Sequence, residues 1–104
     1  MNTSNIITIL GIPKKTASGP AWDFAEAIQR ELGSYRENQL YRFKDTVVRL
    51  FSQGRKLGAD FYRPVRSSKV PGTYSVTRIT STGKRIEMGF AEIRETAEPL
   101  ALPK

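Results

Sequence analysis

The sequence contains neither cysteine nor histidine. Without cysteine, the chain forms no disulfide, has no thiolate nucleophile and offers no sulfur ligand to a metal. Without histidine, it lacks the usual general base and the commonest metal ligand. We find no Walker-type phosphate loop and no nucleophile elbow. The sequence therefore predicts no catalytic residue, no metal site and no cofactor, and it favours a binding function over an enzymatic one.

Long apolar runs and targeting segments are also missing. No stretch approaches the roughly 18 apolar residues that a membrane-spanning helix needs, and the N-terminus lacks the pattern of a signal peptide. We therefore expect a cytoplasmic protein with no membrane partner. Its 104 residues predict one small domain over residues 1–104, with loose termini at about residues 1–4 and 96–104.

Positive charge is abundant but unevenly distributed. The net charge is +7, from 17 basic and 10 acidic side chains. Residues 1–33 are neutral overall, whereas residues 34–72 carry nine basic and three acidic side chains, and residues 73–104 carry five and four. A concentrated basic region attracts polyanions and speeds their association. The distribution therefore indicates an acidic partner for the middle of the chain.

The first third of the sequence predicts one strand and one helix. Residues 5–10 are short and rich in β-branched side chains, as a buried strand is. Residues 11–19 combine Gly, Pro and small polar side chains, which favours a loop. From Pro20, which suits the first helical position, apolar side chains recur at helical spacing until Gly33. The pattern predicts a helix over residues 20–32.

Residues 39–58 form the longest periodic segment and predict a second helix. At about 100° per residue, five apolar side chains fall in one arc of roughly 100°, and Arg42 and Arg49 lie on the opposite side. The arc consists of Leu40, Phe43, Val47, Leu50 and Phe51. Because glycine commonly follows the last residue of a helix, Gly54 and Gly58 are alternative ends.

The rest of the sequence predicts strands. Residues 59–65 favour a strand at an edge of the sheet, because Pro64 cannot donate a hydrogen bond to a neighbour. Residues 73–80 and 84–95 flank a turn that contains Gly83, and they predict a hairpin.

The alternation in this hairpin predicts its register. We expect Ile79 to face Ile86 and Arg78 to face Glu87, which would form an attractive cross-strand pair. Ile86, Met88 and Phe90 are then expected on one face of the hairpin.

The expected order of elements is β-α-α-β-β-β, which favours an α+β fold with two helices packed on a mostly antiparallel three- to four-stranded sheet. This order, together with the small size and the basic charge, resembles that of the RelE-type toxins, which cleave messenger RNA on the ribosome. The resemblance is one of topology. It implies a ribonuclease whose chemistry uses Tyr, Arg and Lys side chains on the sheet.

Basic and aromatic side chains are interleaved in the central region. Arg and Lys neutralise phosphates, while rings such as those of Tyr41, Phe61 and Tyr62 can stack on unpaired bases. We expect phosphate contacts from the end of the second helix, from the segment after it and from the last hairpin. The predicted contact residues are Arg42, Arg49, Arg55, Lys56, Arg63, Arg66, Lys69, Lys84 and Arg85.

Three functions agree with these patterns. The first is a small basic nucleic-acid-binding protein, a regulator that contacts DNA or RNA through its second helix and hairpin, as a helix with a wing does. The second is a RelE-like ribonuclease. The third is a viral or mobile-element accessory protein that inhibits a host protein by binding its acidic surface. The sequence also allows a homodimer.

Overall fold

The computed structural model describes residues 3–67 and 69–95, which form one helix and a mixed sheet of six strands with a separate two-stranded pairing. The elements are, in chain order, β1 (Thr3–Ser4), β2 (Ile6–Thr8), α1 (Pro20–Leu32), β3 (Leu40–Phe43), β4 (Thr46–Gln53), β5 (Lys56–Pro64), β6 (Thr73–Ile79), β7 (Arg85–Glu92) and β8 (Arg94–Glu95). The sheet has the order β2-β3-β4-β5-β6-β7. Only its β2–β3 pair is parallel.

Helix α1 confirms the sequence prediction at both ends. It begins at Pro20 and is preceded by Gly19 as its N-cap. Gly33 ends the helix at a φ of 88°, and its N–H donates to the carbonyl of Gln29 over 2.8 Å. A positive φ there favours glycine, which has no Cβ. No helix in the described part of the chain is long and apolar enough to cross a membrane.

The predicted second helix is wrong, because residues 39–58 form β3, β4 and the start of β5. A two-residue turn at Lys44 and Asp45 joins β3 to β4, since Phe43 pairs with Thr46. A second such turn at Gly54 and Arg55 joins β4 to β5. Gly54 has a φ of 63°, and glycine is favoured at the first position of this kind of hairpin turn.

Two periodicities coexist in this segment, which explains the wrong prediction. The five apolar side chains that share one side of a helical wheel lie on alternating faces of the sheet. Phe43 and Leu50 join the cluster under the helix, whereas Leu40 and Val47 join a cluster on the opposite face. Both faces are apolar here, so burial on two sides of a strand imitates the stripe of a helix.

The predicted fold class is therefore also wrong. In the described part of the chain, one helix, and not two, packs on a sheet of six strands, and not three or four. The resemblance to the RelE-type toxins depended on the order β-α-α-β-β-β, which the described chain does not have.

The main core lies between α1 and the sheet. Its fully buried side chains include Ile28 from the helix and Val48 and Leu50 from β4. The ring of Phe24 packs edge-on against the rings of Phe43 and Phe61, with centroid distances of 4.9 and 5.1 Å. We call this side of the sheet the helix-covered face and the other side the open face.

The open face has a second, smaller apolar cluster. Val47, Tyr74 and Ile93 are buried there, and Ile6 and Tyr62 pack against them. These residues come from strands across the whole sheet and from the chain just after β7. They can meet because the sheet curls around its open face.

The two termini of the described chain reinforce this curl. Thr3 pairs with Arg94 and Ser4 with Glu95, so β1 and β8 form a short parallel bridge. Of the predicted loose residues 1–4, Thr3 and Ser4 thus form β1. Residues 96–104 lie outside the described residues, and the single-domain assignment stays a prediction.

The hairpin of β6 and β7 is confirmed, but its predicted register is wrong. Next to the turn, Arg78 pairs with Ile86 and Ile79 with Arg85, one residue away from the prediction. A β-bulge at Met88 then shifts the register by one residue, so that Val76 pairs with Gly89. The bulge also places Ile86 and Phe90 on opposite faces.

The prediction for Pro64 is wrong as well. The strand β5, which Pro64 ends, lies between β4 and β6 and not at an edge of the sheet.

Candidate nucleic-acid interface

The nine predicted contact residues lie in three regions of the sheet. Turns of the β4–β5 and β6–β7 hairpins form one end, which we call the hairpin-tip end. The β3–β4 turn and the loop after β5 form the loop end. The hairpin-tip end carries Arg55, Lys56, Lys84 and Arg85, the loop end carries Arg63, Arg66 and Lys69, and the open face between them carries Arg42 and Arg49.

The hairpin-tip end is the most coherent basic region. The backbone N–H of Ser81 donates to the side-chain oxygen of Gln53 over 2.9 Å, which holds the two turns side by side. All four cations of this end are exposed. Lys56 pairs with Gln53 and lies on the open face, since it alternates with Gly58 and Asp60 along β5. Positive charge therefore begins at the turns and continues onto that face.

The loop end is less basic than its sequence predicts. Arg66 forms an ion pair with Asp45 at 3.4 Å, and both side chains are largely exposed. Arg63 belongs to the helix-covered face, two residues after Phe61. The nine residues of β5 separate the two ends by roughly 26 Å at about 3.3 Å per residue. Only an extended polyanion could contact both ends at once.

The open face contains a charged cluster that the sequence pattern did not predict. Asp60 is 2% exposed and accepts hydrogen bonds from two arginines. Arg49 Nη2 lies 2.6 Å from Asp60 Oδ2, and Arg78 Nε lies 2.8 Å from Asp60 Oδ1. We call these three residues the Arg–Asp–Arg cluster. Two guanidinium groups share one carboxylate, so the cluster keeps a net positive charge.

Electrostatics hold all three members of this cluster in their charged forms. Burial alone would raise the pKa of Asp60, but hydrogen bonds from Arg78 and Arg49 outweigh burial and lower that pKa below its usual 3.8. Burial opposes the charge of Arg49 in the same way, and the bond to Asp60 helps to raise the pKa of Arg49 above its usual value. The arginine side chains remain 25% and 30% exposed. They can therefore stabilise the sheet and still meet a ligand.

An aromatic ring lies beside the cluster. The guanidinium carbon of Arg78 is 4.6 Å from the centroid of the Phe51 ring, and that of Arg49 is 5.8 Å away. The ring covers Gly58, where an added Cβ would lie 2.5 Å from Phe51 Cζ. Gly58 thus gives the ring room to lie against the backbone of the neighbouring strand. Phe51 remains partly exposed.

Arg42 extends the basic surface toward the loop end. It lies on the open face opposite Val47, one row below the Arg–Asp–Arg cluster. Its Nη2 atom is 3.5 Å from the hydroxyl oxygen of Tyr74. The open face therefore carries Lys56, the two arginines of the cluster and Arg42 along its length.

Asp60, Arg78 and Phe51 were missed as site residues, although one local signal points to the first of them. If Gly54 and Arg55 are interpreted as a two-residue turn, Gln53 pairs with Lys56 and Arg49 must lie opposite Asp60. The structure shows this register. The helical interpretation of the segment hid it.

Helix α1 differs from the sheet in charge. It carries three acidic side chains against one basic, Arg30. Glu26 forms an ion pair with Arg30 at 2.9 Å, and Glu31 accepts backbone hydrogen bonds from Leu10 and Gly11. The outer side of the helix therefore does not suit a polyanion. Among the described residues, no acidic group of three or more could hold a metal ion.

Comparison of this chain with known protein families, with curated proteins and with solved structures finds no match. Function must therefore be inferred from the geometry and charge of the chain's own side chains.

Proposed function

We propose that this protein binds single-stranded DNA or RNA along the open face of its sheet and acts as a small regulatory protein. One observation carries the proposal. Lys56, Arg49, Arg78 and Arg42 lie on one face of the sheet, and the ring of Phe51 lies beside two of these arginines. Basic side chains contact phosphates, and an aromatic ring on a sheet supplies a stacking surface for unpaired bases.

A single strand suits this surface better than a duplex. Proteins that read the major groove commonly insert a helix. The only helix of the described residues has an acidic outer side, so it would repel the phosphates of a duplex. Unpaired bases, in contrast, can turn toward a sheet while their backbone follows its cations.

Salt-dependent binding tests the proposal. Fluorescence anisotropy would compare a labelled single strand of about 15 nucleotides, as DNA and as RNA, with the matching duplex over a salt series. We expect at least one of the two single strands, DNA or RNA, to bind more tightly than the duplex. We also expect the binding affinity to fall steeply as the salt concentration rises. The double variant Lys56→Ala with Lys84→Ala should lower the slope against salt by about 1.4, because each neutralised phosphate of a single strand contributes about 0.7.

A matched control separates local contacts from total charge. Lys14 and Lys15 are exposed in the loop before α1, so changing both to Ala removes the same charge from another surface. This control should bind like the parent. The variant Phe51→Leu changes no charge and should cost about 1–3 kcal/mol of binding free energy if a base stacks on the ring.

Two results would contradict the proposal. The first is an absence of binding to any of the three nucleic acids at low salt, which would favour an acidic protein surface as the partner. The second is an equal loss of affinity in the double variant and in its Lys14 and Lys15 control.

A further inference from the structure

Strand β7 leaves one edge of the six-stranded sheet open over Arg85–Glu92, whereas its continuation β8 pairs with β1. Strand β7 pairs with β6, and among residues 3–67 and 69–95 no other strand pairs with it. Its large apolar side chains Ile86, Met88 and Phe90 are 37%, 46% and 73% exposed. The strand is eight residues long and contains no proline. A long, exposed, apolar edge strand is a template for pairing with another strand.

The bulge at Met88 determines which residues of β7 share a face. In a regular strand, Arg85 and Glu92 would lie on opposite faces, because they are separated by an odd number of positions. In this structure Arg85 pairs with Ile79 and Glu92 with Thr73, and those two residues of β6 share a face. The extra residue therefore places a cation and an anion on one face, at opposite ends of the strand.

We propose that β7 pairs antiparallel with β7 of a second copy of this chain, with Arg85 of each copy opposite Glu92 of the other. Directly opposed residues of antiparallel strands must lie on the same face, and the bulge satisfies this condition for Arg85 and Glu92. The same register sets Glu87 opposite Phe90, and the two bulges face each other at the two-fold axis. The dimer contains two identical Arg85–Glu92 pairs, and the sheet continues from one copy into the next.

Charge selects this register over its neighbours. A shift by two residues in one direction sets Glu87 opposite Glu92, which is repulsive. A shift by two in the other direction sets Arg85 opposite Phe90 and forms no cross-strand ion pair. Only the proposed register joins both ends of the strand by opposite charges, and it does so twice because of the symmetry.

Sedimentation velocity over a concentration series, without nucleic acid, tests this pairing in the full chain. We expect a reversible monomer–dimer equilibrium. The single changes Arg85→Glu and Glu92→Arg each replace two attractive pairs by two repulsive ones, so each should raise the dimer dissociation constant about tenfold or more. The double change Arg85→Glu with Glu92→Arg restores opposite charges and should return the constant to within about threefold of the parent.

Lys15→Glu makes the same charge change as Arg85→Glu at an exposed loop position and should leave dimerisation unchanged. Arg85 and Glu92 are exposed, so circular dichroism should show a folded protein in every variant. A monomer at all concentrations, single variants that dimerise like the parent, or a double variant as weak as the singles would each overturn the proposal. Because the assay contains no nucleic acid, its outcome is independent of the proposed function.

Discussion

The two faces of the central sheet are stabilised by different interactions. On the helix-covered face, Val48, Leu50 and Ala59 are fully buried in an apolar core. On the open face, the buried carboxylate of Asp60 is held by Arg49 and Arg78. A helix shields the first face from water, whereas the second combines a smaller apolar cluster with the partly exposed Arg49 and Arg78.

This difference separates a structural face from one that can also bind. Apolar packing depends on shape and contains no titrating group. A buried ion-pair cluster is stable only while every member has its partner, since removal of one leaves uncompensated charge. The partly exposed arginines of the cluster can therefore contribute to stability and to binding together. The following variants test this comparison, from the largest expected effect to the smallest.

The largest effect is expected from Asp60→Ala. The change would leave Arg49 and Arg78 close together without their shared carboxylate, and it should lower the free energy of unfolding by about 3–5 kcal/mol. Urea unfolding followed by circular dichroism measures the change. A loss below about 1 kcal/mol would show that the cluster is a surface feature and not a structural one.

The same carboxylate predicts a pH dependence. The pKa of Asp60 is lower in the folded protein than its usual 3.8, so the unfolded chain binds more protons in acid. The stability that Asp60 contributes is complete above about pH 5 and is lost as pH falls through the folded-state pKa. The difference in unfolding free energy between the parent and Asp60→Asn should therefore shrink between about pH 5 and pH 3. A difference that stays constant over this range would contradict the proposed charge state.

On the helix-covered face, Leu50→Ala should lower the free energy of unfolding by about 3 kcal/mol. The Leu50 side chain is fully buried between the sheet and helix α1, and its truncation leaves a cavity. The loss of unfolding free energy in Leu50→Ala should be the same at about pH 5 and pH 3, because the change removes no titrating group. The loss in Asp60→Asn, in contrast, should shrink in acid. Urea unfolding at the two pH values distinguishes the faces directly, and a loss in Leu50→Ala that shrinks in acid would contradict the comparison.

Gly58→Ala should lower the free energy of unfolding by about 1–3 kcal/mol, because the new methyl group must displace the Phe51 ring. Its Cβ would also lie 3.1 Å from the carbonyl oxygen of Ile79. The matched control is Gly11→Ala, whose Cβ would make an ordinary 3.5 Å contact with Glu31. The control should change stability by less than about 1 kcal/mol. Equal effects of the two changes, measured by thermal unfolding, would show that the ring does not depend on Gly58.

The smallest effect is expected from Asp45→Ala. Asp45 also pairs with an arginine, Arg66, but their side chains are 78% and 80% exposed. Exposed ion pairs contribute little, so stability should fall by less than about 0.5 kcal/mol. The contrast with Asp60→Ala, measured in the same urea titration, isolates the effect of burial on an aspartate–arginine pair. Similar losses in the two variants would contradict the assigned difference.

Helix α1 could be predicted because independent local signals agree. Pro20 suits the first helical position, the apolar spacing continues for three turns, and Gly33 ends the helix. When the signals agree in this way, tertiary contacts only reinforce the local preference.

The strands β3 and β4 and the start of β5 were not predicted, because one apolar pattern satisfies two periods. Burial on both faces of β4 removes the alternation that would identify a strand. The β-branched run Thr46, Val47 and Val48 and the glycine of the β4–β5 turn indicate the strands, but both signals are local and weak.

The sequence analysis found only part of the candidate site, because the helical interpretation of residues 39–58 hid how the strands pair. Its basic residues follow from composition, and the β4–β5 turn is sufficient to pair Arg49 with Asp60. Arg78 enters the cluster only because β6 lies beside β5 in one register. Neither that long-range register nor the bulge at Met88 is specified by a local pattern.

The parallel bridge between β1 and β8 has a consequence for the order of folding. The strands β3 to β7 are sequence neighbours joined by turns or short loops, whereas the bridge pairs Thr3 with Arg94 and so spans nearly the whole described chain. Forming it costs the loop entropy of that long segment in return for few hydrogen bonds. The bridge should therefore close last during folding and open first in the native protein, so that the amide hydrogens of β8 exchange with solvent before those of β4 and β5.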